Sequence, residues 1–325
     1  MELVAVHNNV ESQIISEKDI TISRGDFLEA NTQIVTLNHL KRDCIIPVYS
    51  DNEMTISHAE FIEATKEVVG DIFTDERVLE PNIRVSHTIR GRLPSAIGKP
   101  VNELRSDEKT IYYQRTAFMI EVPTLTENVN NNSLTLTIGG VRALNQENLY
   151  SRRNLEKFKV FIGFKNMVCT NLCISTDGLK SEIRVASVLE LKDKIRELIQ
   201  SFDKERFLGN MERMSKYYLS ELQFAHLIGK MRMYSHLNKE EKVGKLSLLM
   251  NDNQIGTVVK EYYTDSNFSR SKENGINLWN FYNLMTSANK SSYIDSNLER
   301  NANAFEFVNS LGNSMQNQTK NWFLS

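Results

Sequence analysis

All five prolines of the chain lie at or before Pro123, and the sequence after Arg184 is patterned for consecutive helices. Proline removes a backbone N–H and fixes φ, so it interrupts both helices and central strands. We therefore expect an α+β protein with a flexible N-terminal arm over residues 1–25. An α+β sheet domain should follow over residues 26–184, and a helical domain or layer packed on the sheet over residues 185–325.

The sheet domain should open with a strand followed by a helix. Residues 44–49 (CIIPVY) are typical of a short strand, with Pro47 at an edge or an end. Ser57 and Glu60 have the spacing of a capping box, and apolar residues recur at helical spacing as far as Gly70. The start of this domain is thus an N-terminal strand-helix unit.

From Ile83 the apolar pattern changes to a period of two, which is typical of strands. Alternating segments occur at residues 83–90, 111–122, 134–143, 157–164 and 167–174. Pro123 should end the second segment, and the Asn-rich stretch at 127–133 should form the next hairpin loop, because Asn tolerates left-handed backbone. Gly139 and Gly140 should mark a bulge or a close backbone approach. Together these segments predict an antiparallel β-meander.

Beyond a turn at residues 176–178, apolar residues recur at helical spacing to the end of the chain. Helices are predicted at residues 188–202, 221–234, 240–250, 254–263, 278–288 and 297–311. With no proline to interrupt it, this half should pack as helices against the sheet or beside it.

Charge is distributed unevenly along the chain, whose net charge is −2. Residues 1–83 carry 6 Lys and Arg against 16 Asp and Glu, whereas residues 84–166 carry 13 against 7. A basic segment can follow a polyanion locally, because neutralising phosphates releases counterions. The alternative is that the basic and acidic segments pair with each other inside the fold.

Aromatic residues are interleaved with the basic ones between residues 84 and 165. This combination suits single-stranded nucleic acid, in which cations follow the backbone and exposed rings stack on bases. We expect binding through a basic sheet face and the loop at residues 151–159. The candidate nucleic-acid-binding residues are Arg84, Arg90, Arg92, Arg115, Arg142, Arg152, Arg153, Lys157, Lys159, Tyr112 and Tyr150.

No catalytic, cofactor or metal signature is present. Cys169 and Cys173 would lie about 13 Å apart on one strand at about 3.3 Å per residue, too far to chelate one ion through adjacent side chains. The histidines lack the helical spacing of a zinc site, and there is no glycine-rich phosphate loop or nucleophile elbow. We therefore expect a protein that is not an enzyme and uses no metal or cofactor.

Three stretches, CIIPVYSDNEMTISHAEFIEA, KFKVFIGFKNMVCTNLC and INLWNFYNLMTSANKSSYID, carry a family resemblance. Over roughly residues 40–310 the chain resembles an uncharacterised Bacteroidota family, a domain of unknown function commonly encoded by mobile elements. It is more distantly similar to the phage/plasmid-like protein family, whose Val-Cys-x-Asn strand is matched by Val168, Cys169 and Asn171. Neither family implies a known activity or site.

The helical motif of that second family, Trp-x-x-Tyr-Asn-x-x-Thr, is matched by Trp279, Tyr282, Asn283 and Thr286. These residues share one helix face. We expect this face to pack on the sheet, with Asn283 bracing the turn at residues 290–293; a ligand pocket is the alternative. As an analogy, the element order also resembles the core of phage single-strand annealing recombinases.

These observations predict a mobile-element or phage protein that binds or anneals single strands, without covalent chemistry. DNA is the favoured strand. The alternative is a protein-binding regulator or host-defence antagonist that acts through its acidic N-terminal region on a host or element-encoded protein. We expect a cytoplasmic location because no signal peptide or membrane span is evident and three cysteines suit a reducing compartment. A free sheet edge would permit a homo-oligomer.

Overall fold

The computed structural model describes residues 26–46, 55–96, 98–147 and 155–325. Its strands are β1 (Gln33–Ile34), β2 (Asn82–Val85), β3 (Thr88–Arg92), β4 (Lys109–Tyr113), β5 (Arg115–Val129), β6 (Asn132–Ala143), β7 (Glu156–Asn166), β8 (Leu172–Cys173), β9 (Leu179–Val185), β10 (Tyr218–Leu219) and β11 (Ile276–Asn277). Its helices are α1 (Leu37–Asp43), α2 (His58–Ile72), α3 (Val188–Ser201), α4 (Lys204–Met214), α5 (Glu221–His236), α6 (Lys239–Lys242), α7 (Asp252–Thr264), α8 (Leu278–Asn289) and α9 (Ile294–Asn317). This order confirms an α+β fold with an antiparallel sheet and a helical C-terminal half. The predicted arm at residues 1–25 lies outside the described residues.

The main sheet has the order β1-β2-β5-β6-β7-β8, and β9 also pairs with β7. Every pairing in it is antiparallel, as the meander predicts. Helix α2 begins at the predicted cap, where Ser57 and Glu60 exchange side-chain and backbone hydrogen bonds. Of the strand predicted at residues 44–49, Cys44 forms a single parallel bridge to Ile111, and residues 47–49 lie outside the described residues.

The β5–β6 hairpin turns at Asn130 and Asn131, which both have positive φ, 46° and 62°. This is the left-handed backbone that the Asn-rich stretch predicts. The prediction that Pro123 ends the strand is wrong, because β5 continues to Val129. The ladder shifts register between Val122 and Thr126, and this irregularity accommodates a residue that cannot donate a hydrogen bond.

The strands predicted at residues 83–90 and 111–122 are each divided in two. Val85 pairs with Thr116 in the main sheet, and Thr88 pairs with Tyr113 in a separate two-stranded ribbon. Between them, the Gln114 carbonyl accepts from Leu144 N at 2.8 Å, next to the Arg115–Ala143 pair, so Gln114 still bonds to the main sheet. The ribbon β3–β4 therefore leaves the main sheet and forms its own surface.

Other boundaries also differ from the predictions. Only Leu172–Cys173 of the strand predicted at residues 167–174 is extended, since residues 167–171 form a turn in which Thr170 has φ 59°. Strand β9 and helix α4 were not predicted, although α4 places Phe207, Leu208, Met211 and Met214 at helical spacing. The helix predicted at residues 240–250 stops after α6, and Gly244 adopts φ +74°.

Both faces of the sheet are covered. On one face Phe61 of α2 packs on Phe118 and Phe158, and a Cβ on Gly140 would lie 2.5 Å from the Phe61 ring. The predicted close approach at this glycine is therefore present. On the other face, α9 and the segment holding Phe27 and Leu28 cover a second apolar cluster. The larger apolar cluster runs from Leu40 to Phe323 and joins both halves of the chain.

Candidate nucleic-acid interface

The strand register places several predicted basic residues on one sheet face. Arg115 lies two residues before Ala117 on β5, and Lys159 lies two residues before Phe161 on β7; both apolar residues belong to the cluster beneath α9. Arg84 lies directly opposite Ala117 on β2. These three cations therefore lie on one face of the sheet.

That face does not point to solvent, because α9 and the segment before β1 lie on it. Arg115 Nε donates to Asp295 at 3.2 Å, and Lys159 Nζ donates to Glu299 at 2.5 Å. Arg84 is paired with Asp26, and both side chains are largely buried. The exposed basic sheet face predicted from the sequence is therefore corrected: carboxylates from distant parts of the chain neutralise it.

Arg142 lies on the opposite face and is fully buried. Its guanidinium lies between Glu147, at 3.1 Å, and Glu156, at 2.5 Å, and over the Phe158 ring at 4.7 Å from its centroid. It also donates to the backbone of Ile56. Arg142 is therefore inaccessible to a nucleic acid, and it joins β6 to the segment before α2.

The remaining predicted residues separate into three groups. Tyr150, Arg152 and Arg153 lie outside the described residues, as do residues 151–154 of the predicted loop at residues 151–159, whose last four residues belong to β7. Lys157 is half-buried and lines a pocket of about 50 Å³ with Lys159 and Glu182. Arg90, Arg92 and Tyr112 lie together on the β3–β4 ribbon.

The β3–β4 ribbon forms one wall of a cleft of about 850 Å³, which we call the basic cleft. The end of α1 and the 3₁₀ segment Val101–Glu103 contribute its other walls. Its lining residues are Arg42, Asp43, Ile45, Arg90, Gly91, Arg92, Gly98, Val101, Leu104, Lys109, Thr110, Ile111 and Tyr112.

The basic cleft carries four cations, Arg42, Arg90, Arg92 and Lys109, against one carboxylate, Asp43. Register places Arg92 directly opposite Lys109 on the ribbon, an arrangement of like charges that is unfavourable by itself. Arg92 donates to the Lys99 carbonyl, and across the part of the chain that the structure describes none of the four cations contacts a carboxylate. Among the described residues, the cleft is therefore an electropositive site whose cations lack carboxylate partners.

The candidate residues chosen from the sequence include Arg90, Arg92 and Tyr112, which line the basic cleft, but not Arg42 and Lys109, which line it too. Lys109 is the first residue of β4, which begins two residues before the strand predicted at residues 111–122. The pairing of β4 with β3 places Lys109 opposite Arg92. Arg42 is exposed in the last turn of α1, a helix that the sequence did not suggest. Its N-cap, Thr36, was the available signal, since its side chain accepts from His39 N at 3.2 Å.

Asp43, which lines the basic cleft, also belongs to a Cys-His-Asp arrangement with His39 and Cys44. His39 Nδ1 lies 2.8 Å from Asp43 Oδ2, and His39 Nε2 lies 2.9 Å from Tyr113 Oη and 3.8 Å from Cys44 Sγ. Burial, together with nearby Asp43, raises the pKa of Cys44 to about 11. The thiol is therefore protonated at neutral pH, and a thiolate nucleophile is not favoured.

The two family motifs meet in the interior. Asn171 Nδ2 donates to the Asn283 carbonyl at 2.9 Å, and Asn283 Nδ2 donates to the Trp279 carbonyl at 3.0 Å. Thr286 Oγ1 donates to the Tyr282 carbonyl at 3.1 Å, and all these side chains are buried. The motif residues therefore hold α8 on the β7–β8 turn, in agreement with the packing role expected for them.

Asn283 braces a different turn from the one predicted. Its carbonyl and side chain contact Asn166, Cys169 and Asn171, not residues 290–293. Lys290 supports the same turn, because its Nζ donates to Thr170 Oγ1 at 3.0 Å. Burial lowers the pKa of Lys290. These contacts stabilise Thr170 in backbone that a β-branched residue rarely adopts.

Within the described ranges, no three His, Cys, Asp or Glu side chains lie close enough together to hold a metal ion. The three cysteines are free, and burial raises the pKa values of Cys169 and Cys173. No helix among the described residues is long and apolar enough to cross a bilayer.

Comparison with known proteins places the chain in a family but gives no further relative. No curated protein and no solved structure is detectably similar to it. A family model described as "Domain of unknown function, B. Theta Gene description" matches residues 8–324, nearly the whole chain. The chain therefore belongs to this family, DUF3871.

Proposed function

We propose that the protein binds single-stranded nucleic acid in the basic cleft, without covalent chemistry. One observation carries this proposal: the cations of the sheet face are paired with carboxylates, whereas Arg42, Arg90, Arg92 and Lys109 are not, within the described residues. An anionic backbone between Arg92 and Lys109 would relieve their repulsion and release counterions.

The shape and lining of the cleft favour a strand over a lone anion. Its volume of about 850 Å³ exceeds that of one phosphate group, and apolar side chains lie between the cations. Tyr112 contributes an aromatic ring to the same lining, and rings in such positions stack on bases without sequence preference. DNA is the favoured strand, and annealing or protection of single strands is the use that we infer.

The test is a fluorescence-anisotropy titration of a labelled single strand and its duplex at two salt concentrations. We expect salt-dependent binding that favours the single strand. The double variant R42E/K109E should weaken binding by about tenfold or more, because it reverses two phosphate contacts. The matched control K216E/K272E changes net charge equally at exposed lysines of the helical half that have no carboxylate partner there.

Equal loss in both double variants would show a nonspecific charge effect and contradict the cleft as the site. Absence of binding at low salt would contradict the function itself. Co-purification of a host protein in that case would support the alternative, a protein-binding regulator or host-defence antagonist. Against that alternative, acidic residues of the first 83 pair internally: Glu63 with Lys41, Glu67 with Lys192, Asp71 with Arg196 and Glu80 with Lys66.

We also propose that the protein is encoded by a mobile element or phage and acts in the cytoplasm. The resemblance of two motifs to the phage/plasmid-like family supports the mobile-element origin, and these motifs meet at Asn171 and Asn283. Three free cysteines support the cytoplasmic location, because they suit a reducing compartment. Sequencing the genes that flank family members, and fractionating cells that express the protein, would test the two statements.

A further inference from the structure

A polar crevice of about 270 Å³ lies on another side of the molecule, between α4, α9 and the turn before β9. Phe207 and Phe305 lie among its lining residues, with their ring centroids 4.7 Å apart. Both rings are almost fully buried, so their positions are fixed by the core. The crevice shares no residue with the basic cleft.

Two asparagines of this crevice are held in fixed orientations by one arginine. Arg213 Nη2 donates to Asn210 Oδ1 at 2.8 Å and to Asn309 Oδ1 at 2.5 Å. With each amide oxygen turned towards Arg213, the Nδ2 groups point elsewhere. In the described part of the chain neither Nδ2 group has an acceptor. The crevice therefore presents two oriented amide donors with unused capacity.

The carboxylates of the crevice are only partly used. Glu306 Oε1 accepts from Thr176 Oγ1 at 3.0 Å, while no described residue donates to its Oε2. Asp177 Oδ2 accepts from Arg206 at 2.8 Å, which neutralises that pair. A ligand would thus meet a free acceptor as well as the two amide donors.

These groups select the chemistry of the ligand. An anion would be repelled by Glu306, and a purely apolar ligand would leave the amide donors and the carboxylate unpaired. A hydroxyl group both donates and accepts, so neighbouring hydroxyls match neighbouring amide donors and a carboxylate acceptor. A volume of about 270 Å³ limits the ligand to a single ring.

We propose that this crevice is a binding site for a neutral polyhydroxylated ring of monosaccharide size, a free sugar or the ribose of a nucleoside. Asn210 and Asn309 donate to its hydroxyls, and Glu306 accepts from one. The site does not depend on nucleic-acid binding, because no residue of the basic cleft takes part.

The test is saturation-transfer NMR of the full chain with two sets of probes, neutral methyl glycosides and nucleosides. We expect saturation transfer to members of at least one set, and the set that responds identifies the source of the ring. The variants Glu306→Gln and Asn210→Leu should weaken binding by about fivefold or more, because each removes a hydrogen bond to the ligand. The control Asn253→Ala, at an exposed asparagine of α7, should leave binding unchanged.

Glu306→Gln keeps the size of the side chain, so it tests the acceptor with little risk to folding, and a thermal melt of each variant confirms the fold. Saturation transfer to neither set of probes would overturn the proposal. Signals that persist at full strength in both crevice variants would overturn it equally, since binding would then lie elsewhere.

Discussion

Arg115 Nε donates to Asp295 Oδ2 at 3.2 Å, and 180 positions of sequence separate the two residues. The pair joins a strand of the sheet to the first turn of α9, where a carboxylate is also favoured by the helix dipole. Together with the pair of Lys159 and Glu299, it is a contact by which α9 neutralises cations of the sheet face. The position of this pair explains why a basic segment in the sequence does not become a basic surface.

Asp295→Ala should lower the free energy of unfolding by about 1–3 kcal/mol, because it leaves a largely buried guanidinium without its partner. Urea unfolding of this variant, of Arg115→Gln and of the double variant measures the coupling between the two residues. The double variant should be less destabilised than the sum of the single ones. A gain in single-strand affinity on Asp295→Ala would contradict the basic cleft as the site, since it would show that the sheet face binds once uncovered.

Arg142→Met should destabilise the protein by about 3–5 kcal/mol, because Glu147 and Glu156 would remain largely buried without a cation. Chemical denaturation measures this loss. Adding Glu147→Gln and Glu156→Gln to the variant should recover part of it. The matched control is Arg196→Met, which breaks solvent-exposed pairs with Asp71 and Asp193 and should cost less than about 1 kcal/mol. Equal losses in the two variants would contradict a supporting role for the buried pairs.

Parts of this fold follow from the sequence because their causes are local. The cap at Ser57 and Glu60 and the turn at Asn130 and Asn131 each depend on residues within one turn of the chain. Strand periodicity likewise assigns Arg115 to one face of β5. Whether that face is exposed to solvent depends on α9. The residues around Arg115 in the sequence do not indicate that Asp295 will lie beside it.

The basic cleft was predictable only in part for the same reason. Arg90 and Arg92 were identified by charge, but the opposition of Arg92 to Lys109 depends on where the β3–β4 ribbon leaves the sheet. The ribbon ends at Tyr113, and the carbonyl of the next residue, Gln114, already accepts from Leu144 N beside the β5–β6 pairing. Hydrophobic periodicity continues across this break and so does not reveal it.

His58 should make stability depend on pH. Burial and, to a smaller extent, nearby Arg142 together lower the pKa of His58 to about 3, although the Tyr113 carbonyl, 2.8 Å from its Nε2, opposes this shift. In the unfolded chain its pKa is about 6.5. Between these two pKa values the unfolded state binds a proton at His58 and the folded state does not. The contribution of neutral His58 to the free energy of unfolding is therefore fully present above about pH 6.5 and is lost as the pH falls towards 3.

The difference in unfolding free energy between wild type and His58→Gln, measured by urea titration from pH 7.5 to about pH 4, isolates this effect at about 1.4 kcal/mol per pH unit. Glutamine keeps an N–H donor for the Tyr113 carbonyl. We expect the wild type to lose more stability than the variant over this range. Parallel pH profiles would show that His58 does not remain neutral in the folded protein.

Asn283→Ala should destabilise the protein by about 1–3 kcal/mol, because Asn166 Nδ2 would lose its buried acceptor at a turn that holds Thr170 at φ 59°, whereas Asn171 would keep the backbone carbonyl of residue 283. Thermal and urea unfolding measure the loss, and Asn280→Ala, on the same helix but outside this network, is the matched control.

Asn283→Asp tests the donor separately: its side chain can still accept from Asn166, but it cannot donate to the Trp279 carbonyl. If the motif only holds α8 on the sheet, the variants should lose stability while the affinity of the folded protein for a single strand stays unchanged. A loss of affinity without a loss of stability would instead assign the two motifs a direct part in binding.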